Sequence, residues 1–279
     1  MGRVFALEEV RRGHVPQLQN FVIAEDHLVS LLKQSEYAEI SALPFGAVGY
    51  LTPSRRSDFD VLIYYPDDQQ DQAIQLIKDL KIFADELFII LDPVWVSHSG
   101  ALVGHHDIRK GFEGHLRKME KRGLGKCNQI LENLKSLPIS LDDELRHYLY
   151  LKRRMICDAQ AIGHPTTHHH FRYLQRQLEA PIHIARRHLQ CLGYSADRKM
   201  EVLLEYERYV ESPLSQRLTT LNSLDKFYSH SLGLMLETGA FDPDKYAAAL
   251  YQVEQGVPLL LEFIDRTFVS LQQLALEPV

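Results

Sequence analysis

Phe45-Gly46-Ala47-Val48-Gly49-Tyr50-Leu51-Thr52-Pro53-Ser54-Arg55-Arg56-Ser57-Asp58-Phe59-Asp60-Val61-Leu62-Ile63-Tyr64 is the stretch that decides how this chain reads. Its second half opens on Asp-Phe-Asp and continues through Val, Leu, Ile and Tyr, the composition of a buried strand. Side chains alternate faces along a strand, so Asp58 and Asp60 point the same way. Two carboxylates so placed repel each other unless a cation sits between them. Hard oxygen ligands on a rigid strand end suit Mg²⁺, which takes one or two protein carboxylates and completes its shell with water and phosphate oxygens. Upstream, Gly46 and Gly49 bracket the exit of the preceding strand, where no side chain obstructs a polyphosphate approaching the backbone. Arg55, Arg56 and Ser57 add two cations and a hydroxyl to the same loop. The pattern describes a nucleoside triphosphate held by glycine backbone and magnesium, with carboxylates organising attack on phosphorus.

Outward from this segment the chain has two textures. Between residues 38 and 105, short runs rich in Val, Ile, Phe and Tyr predict strands over Ile40–Val48, Asp58–Tyr65 and Glu86–Val96. Helical stripes predict helices over Pro16–Ser35 and Asp67–Phe83. From about residue 106 the pattern is helical almost throughout: Ile108–Arg122, Lys126–Lys135, Asp142–Ala161, Thr167–Leu192, Ala196–Val210, Pro213–Leu236, Asp242–Gln255 and Leu259–Leu276. Gly123, Gly163, Gly193 and Gly239 stop these helices, and Asp242-Pro243 supplies an N-cap followed by proline at the first helical position. The expected fold class is α+β. A small mixed-sheet domain with N-terminal helices, residues 1–105, precedes an all-α helical bundle, residues 106–279.

Composition narrows the function classes. The 279 residues carry 31 Lys and Arg against 37 Asp and Glu, a formal charge of −6, which argues against a protein coated in nucleic acid. With 45% hydrophobic residues the chain can offset the entropy of folding. Three scattered cysteines make neither a disulfide framework nor a zinc pair. The N-terminus lacks the apolar core of a signal peptide, and no apolar run approaches the ~20 residues of a membrane span. The expectation is a cytoplasmic protein with no membrane partner.

Gly46-Ala47, ten intervening residues, then Asp58-Phe59-Asp60-Val61 resembles the signature of the DNA polymerase beta-like nucleotidyltransferase superfamily. With Gly49 as a second glycine, the chain looks most like the nucleotidyltransferase domain of PII uridylyltransferases and related putative nucleotidyltransferases. Val96-Ser97-His98-Ser99 is similar to a Val-Gly-His-Ser stretch of that family. The resemblance covers roughly residues 40–105. It implies that residues 1–105 are a nucleotidyltransferase domain, that Asp58 and Asp60 are metal ligands, and that Gly46 belongs to the triphosphate loop. It also implies a third carboxylate, as metal ligand or general base, on the next strand. Asp92, after Phe88-Ile89-Ile90-Leu91, is the best candidate, and Glu86 is the fallback. Ala47 stands where many members carry Gly or Ser, and Tyr50-Leu51 replaces their Arg-Gly.

Other features have plainer readings. The helix Arg109–Lys126 is rich in Lys and Arg interleaved with Glu113 and Glu120, a solvated face; Lys110 is its candidate phosphate contact. His168, His169 and His170 are consecutive on a helix, point about 100° apart, and cannot converge on one ion. His183 and His188, near Arg186 and Arg187, fit a partly buried surface role better than an acceptor pocket.

The sequence therefore points to Mg²⁺-dependent transfer of a nucleotidyl group from an NTP, ATP among the candidates, with release of pyrophosphate. The acceptor is a hydroxyl or amine of a protein or small molecule, RNA being less favoured, and two metal ions are possible. Asp58, Asp60 and Asp92 are the catalytic and metal set. Gly46, Ala47, Gly49, Arg55, Ser57 and Lys110 are the nucleotide-binding set. The alternative is a nucleotide-binding regulatory or interaction module that keeps the fold without transfer, motivated by Ala47, Tyr50 and Leu51.

Overall fold

The structure, a computed structural model, describes residues 3–49, 51–103, 141–160, 167–194, 196 and 198–276. Lys110, Tyr50 and the basic helix around Lys110 lie outside the described residues. Contacts divide the chain into a sheet unit starting at Gly13 and a helical unit made of Gly2–Arg12 and Ser140–Val279. The first helix, α1 (Leu7–Arg11), thus belongs with the helical unit, whereas the sequence reading groups it with the sheet.

In the sheet unit, α2 (Leu18–Leu31) and a short 3-10 turn (Ser35–Tyr37) lead into β1 (Ser41–Pro44). One helical turn, α3 (Gly46–Gly49), follows, and then β2 (Phe59–Tyr65), α4 (Gln70–Glu86), β3 (Leu91–Ser97) and α5 (His98–Val103). The three strands form one mixed sheet in the order β1-β2-β3, antiparallel between the first pair and parallel between the second. All seven residues of the central strand β2 are buried, which explains its near-continuous apolar run. Phe59, Val61, Ile63 and Tyr65 pack into one core with Phe21 and Leu28 of α2 and Leu76 and Leu80 of α4. By alternation, Asp60, Leu62 and Tyr64 occupy the other face.

Two boundaries differ from the sequence reading, both because hydrogen bonding outlasts composition. The first strand stops at Pro44, since Phe45 bonds back to β2 and the glycines that follow close a helical turn. The third strand starts at Leu91 and not Glu86. The buried stripe Ala73, Leu76, Leu80 and Ala84 carries α4 through Glu86. Ile89 N–H then donates to the Ala84 carbonyl at 2.9 Å, with Phe88 turning the chain at φ 58°.

The helical unit contains α6 (Leu141–Gln160), α7 (Thr167–Cys191), α8 (Lys199–Tyr209), α9 (Ser212–Thr238), α10 (Pro243–Gln255) and α11 (Val257–Leu276). Ala185, Leu189, Val202, Leu218, Phe263 and Ile264 are central to its core. The Asp242-Pro243 start is as read: Asp242 accepts from the backbone N–H groups of Asp244 and Lys245. Among the described residues no helix is long and apolar enough to cross a membrane.

Among the described residues, the buried hydroxyls of this core are hydrogen-bonded in small groups. Tyr148 donates to the Ile264 carbonyl at 3.0 Å and meets Thr267 Oγ1 at 2.5 Å. Tyr228 and Tyr246, fully buried and 2.8 Å apart at their oxygens, grip the backbone of Phe5. Phe5 N–H donates to Tyr228 at 3.1 Å, and Tyr246 donates to the Phe5 carbonyl. His188 lies between Tyr206 and Ser270, with Nδ1 2.8 Å from the phenol and Nε2 3.2 Å from the hydroxyl. Sequence placed His188 near the surface; it has no exposed area.

Burial lowers His188 to about 4 from an ordinary value near 6.5. Between those values the unfolded chain binds the proton and the folded chain does not. Stability is therefore full above about pH 6.5 and is lost as pH falls toward about 4. We expect a loss on the order of 1–2 kcal/mol between about pH 7 and pH 5, read from urea midpoints, and a shallower slope in His188→Gln.

Candidate metal centre

The site is built where three segments meet at one edge of the sheet: the end of β1, the start of β2 and the start of β3. Parallel register sets Asp60 directly opposite Asp92, and Phe59 opposite Leu91. Side chains paired across a parallel ladder share a face, so Asp92 joins Asp60 on the face opposite α2 and α4. Asp58 precedes the strand at the same parity. One carboxylate oxygen from each of Asp58, Asp60 and Asp92 lies within 4.8 Å of the other two. Asp58 and Asp60 are buried, 4% and 1% exposed, while Asp92 is exposed. Pro93 is accommodated because, among the described residues, β3 has β2 as its one neighbour, and an edge strand tolerates a missing donor.

Crowding of this kind has a definite electrostatic cost. At an effective dielectric of about 20, two unit charges ~5 Å apart repel by about 3 kcal/mol. That exceeds the net value of an ordinary hydrogen bond, about 1 kcal/mol. A divalent cation among three oxygen donors reverses the sign of the interaction, and a hard, all-oxygen donor set is the chemistry of Mg²⁺ or Mn²⁺.

The glycine loop is fastened to this group by backbone. Phe45 N–H donates to the Asp60 carbonyl at 3.0 Å, and Gly46 follows at φ +59°. A Cβ on Gly46 would fall 2.1 Å from Asp60 Oδ2, so the bare Cα is what lets the loop sit against the carboxylate. A Cβ on Gly49 would fall 2.7 Å from the Pro44 carbonyl oxygen. Both glycines singled out in the sequence are thus required by close approach. Ala47 lies in the same helical turn. The turn ends at Leu51, whose φ of 58° is unusual for a side chain of its kind and which is 79% exposed.

The remaining predicted residues fare differently. Ser57 is buried, and its hydroxyl accepts from Ser54 N–H at 2.9 Å, so it ties the Ser54–Ser57 turn. Ser57 N–H returns the bond to the Ser54 carbonyl at 2.9 Å. Arg55 is half-buried, and Arg56 is buried at 4% exposure. Glu86, the fallback carboxylate, ends α4 and is not in the cluster. The Val96–Ser99 stretch lies at the far end of β3 from Asp92. There His98 stacks on Tyr64 at 4.4 Å, and Asp67 accepts from Ser99 N–H and Oγ, which holds the Asp67 carboxyl below its ordinary range. This echo serves the joint between β2 and α5, not the carboxylates.

No family model, characterised protein or solved structure matches the chain.

Two outcomes follow from the geometry. Gly46→Ala should destabilise the protein by at least ~2 kcal/mol, through its positive φ and the clash with Asp60, measured as a lowered urea midpoint. Added Mg²⁺ or Mn²⁺ should raise the melting temperature of the wild type, by about 2.7 kcal/mol of linkage at a hundredfold excess over Kd. Asp60→Asn should lose most of that response.

Proposed function

We propose that the chain is a Mg²⁺-dependent nucleotidyltransferase of the DNA polymerase beta-like kind, with residues from Gly13 to Val103 as the catalytic part and the helical unit serving the acceptor. The single observation that carries this reading is the meeting of Asp58, Asp60 and Asp92 at one sheet edge with the Gly46 backbone pressed against Asp60. The spacing of glycines and carboxylates in the sequence supports it independently.

Asp58 and Asp60 would hold the metal, with Asp92 as the third ligand or as the base. When bound, Mg²⁺ supplies neutralisation of phosphate oxygens and a template for in-line geometry. The chain's own contributions are distinct. The Gly46–Gly49 turn offers the triphosphate a backbone surface with a bare Cα at either end. Asp92, the exposed member of the three, is the one open to solvent and is suited to take an acceptor's proton. An acceptor oxygen or nitrogen bonds to the α-phosphorus as the bond from that phosphorus to the bridging oxygen breaks. The electron pair leaves with pyrophosphate, and the acceptor proton passes to carboxylate and then to water. A hydroxyl or amine on a protein or small molecule is the acceptor class favoured by the acidic chain.

A competing reading, nucleotide binding without transfer, draws on Ala47 and on the Ser57 hydroxyl, which is engaged with Ser54. One assay separates the two. With labelled NTPs and Mg²⁺, we expect pyrophosphate release that falls at least about 100-fold, or ~2.7 kcal/mol of barrier, in Asp58→Asn and Asp60→Asn. Glu86→Gln should stay near wild type. Nucleotide binding by calorimetry with no release for any acceptor would favour the binding module. Undiminished turnover in Asp60→Asn would defeat the catalytic assignment.

A further inference from the structure

The helical unit carries a half-open pocket of about 490 Å³ that the metal reading does not use. It lies between α7, the connection from α8 to α9, and α11, entirely inside that unit. Pockets of roughly 300–1,000 Å³ are the ordinary size for small molecules. Leu192, Val210 and Val269 give it apolar walls. Its polar groups are His188 of α7, Tyr209 at the end of α8, Glu211 just before α9, and Arg266, Ser270 and Gln273 along α11.

Their hydrogen bonding has a direction. Tyr206 is fully buried, and its phenol meets His188 Nδ1. A buried phenol needs an acceptor for its proton. When Tyr206 donates to Nδ1, the imidazole proton is on Nε2 and is given to Ser270 Oγ, which leaves the Ser270 hydrogen to be donated in turn. Thr219, Ser231 and Thr238 donate to the carbonyl four residues earlier in their own helix, whereas Ser270 has its bond to His188 and no such back-bond. The relay from Tyr206 through His188 to Ser270 thus ends in a donor that lines the pocket. Burial keeps His188 neutral at ordinary pH, so the relay carries no charge of its own.

The charges on the walls are opposite. Arg266, one turn before Ser270 on α11, rests Nε and Nη2 on a single oxygen of Glu262, each at 3.1 Å. Glu262 is shared with Arg217, so this group of three retains one positive charge. Glu211, at the start of α9, has no ion pair among the described residues. We propose that this pocket binds a small zwitterion with an apolar body. Its anionic oxygen is met by Ser270 and Arg266, its ammonium by Glu211, and its body by Leu192, Val210 and Val269. A simple anion would leave Glu211 opposed to it, and a simple cation would leave Arg266 opposed. A zwitterion satisfies both.

Calorimetric titration of the full chain with L-leucine, L-phenylalanine, N-acetyl-L-phenylalanine and L-phenylalanine methyl ester tests this. The expected result is saturable binding of at least one free amino acid, with either blocked compound about tenfold weaker or worse. Glu211→Gln should weaken the free compound about tenfold at unchanged melting temperature, and Ser270→Ala should weaken it about tenfold with a lowered melting temperature, because the buried His188 Nε2–H loses its acceptor. Glu211 is exposed, so its variant keeps the test open if Ser270→Ala unfolds. Absence of heat with all four compounds overturns the proposal, and so does equal binding of the blocked and free forms.

Discussion

Repulsion among three carboxylates at one end of a sheet is the constraint around which the sheet unit is arranged. Charges of like sign tolerate such proximity only where a fold holds them by other means. Backbone supplies part of the means: the ladder sets Asp60 against Asp92, and the Phe45 amide pins the glycine turn to the Asp60 carbonyl. The apolar half of β2, buried between Phe21, Leu28, Leu76 and Leu80, supplies the cohesion that keeps the acidic end in place. Hydrophobic burial on one face thus sustains an electrostatic tension on the other.

Much of this was legible from residue order. Asp-x-Asp on a strand specifies a shared face because the period of a strand is two, and no tertiary knowledge is needed. Glycines before it were legible as points of close approach, although what they approach, the Asp60 carboxylate and the Pro44 carbonyl, was not. Asp92 was identifiable as a candidate only through the resemblance. Its pairing with Asp60 depends on register, which is fixed by where α4 ends, and the apolar run Leu87–Leu91 disguised that end as strand. The burial of Ser57 and Arg56 was not legible either: a tight turn closed by serine hydroxyls draws polar groups inward, and composition does not show it.

The helical unit was legible in outline and opaque in its interior. Helix limits follow from Gly, Pro and Asp, whose backbone preferences are local. The buried pairings do not, because Tyr206, His188 and Ser270 come from three helices, separated by 18 and 82 residues from the histidine. No periodicity announces such a relay. What the sequence offers is a histidine on an apolar stripe, and that is as compatible with a surface residue as with a core one.

The grip of Tyr228 and Tyr246 on Phe5 has a further bearing on how the molecule comes apart. Because the first dozen residues belong to the helical unit, that unit is discontinuous in the gene, and the chain passes from it to the sheet and back again. A nick just beyond Arg12 would leave a peptide seated on its two phenols, a two-piece assembly held without a covalent link. Residues 140–279 produced without the N-terminal segment would instead leave both phenols inside an apolar interior with no Phe5 main chain to receive them.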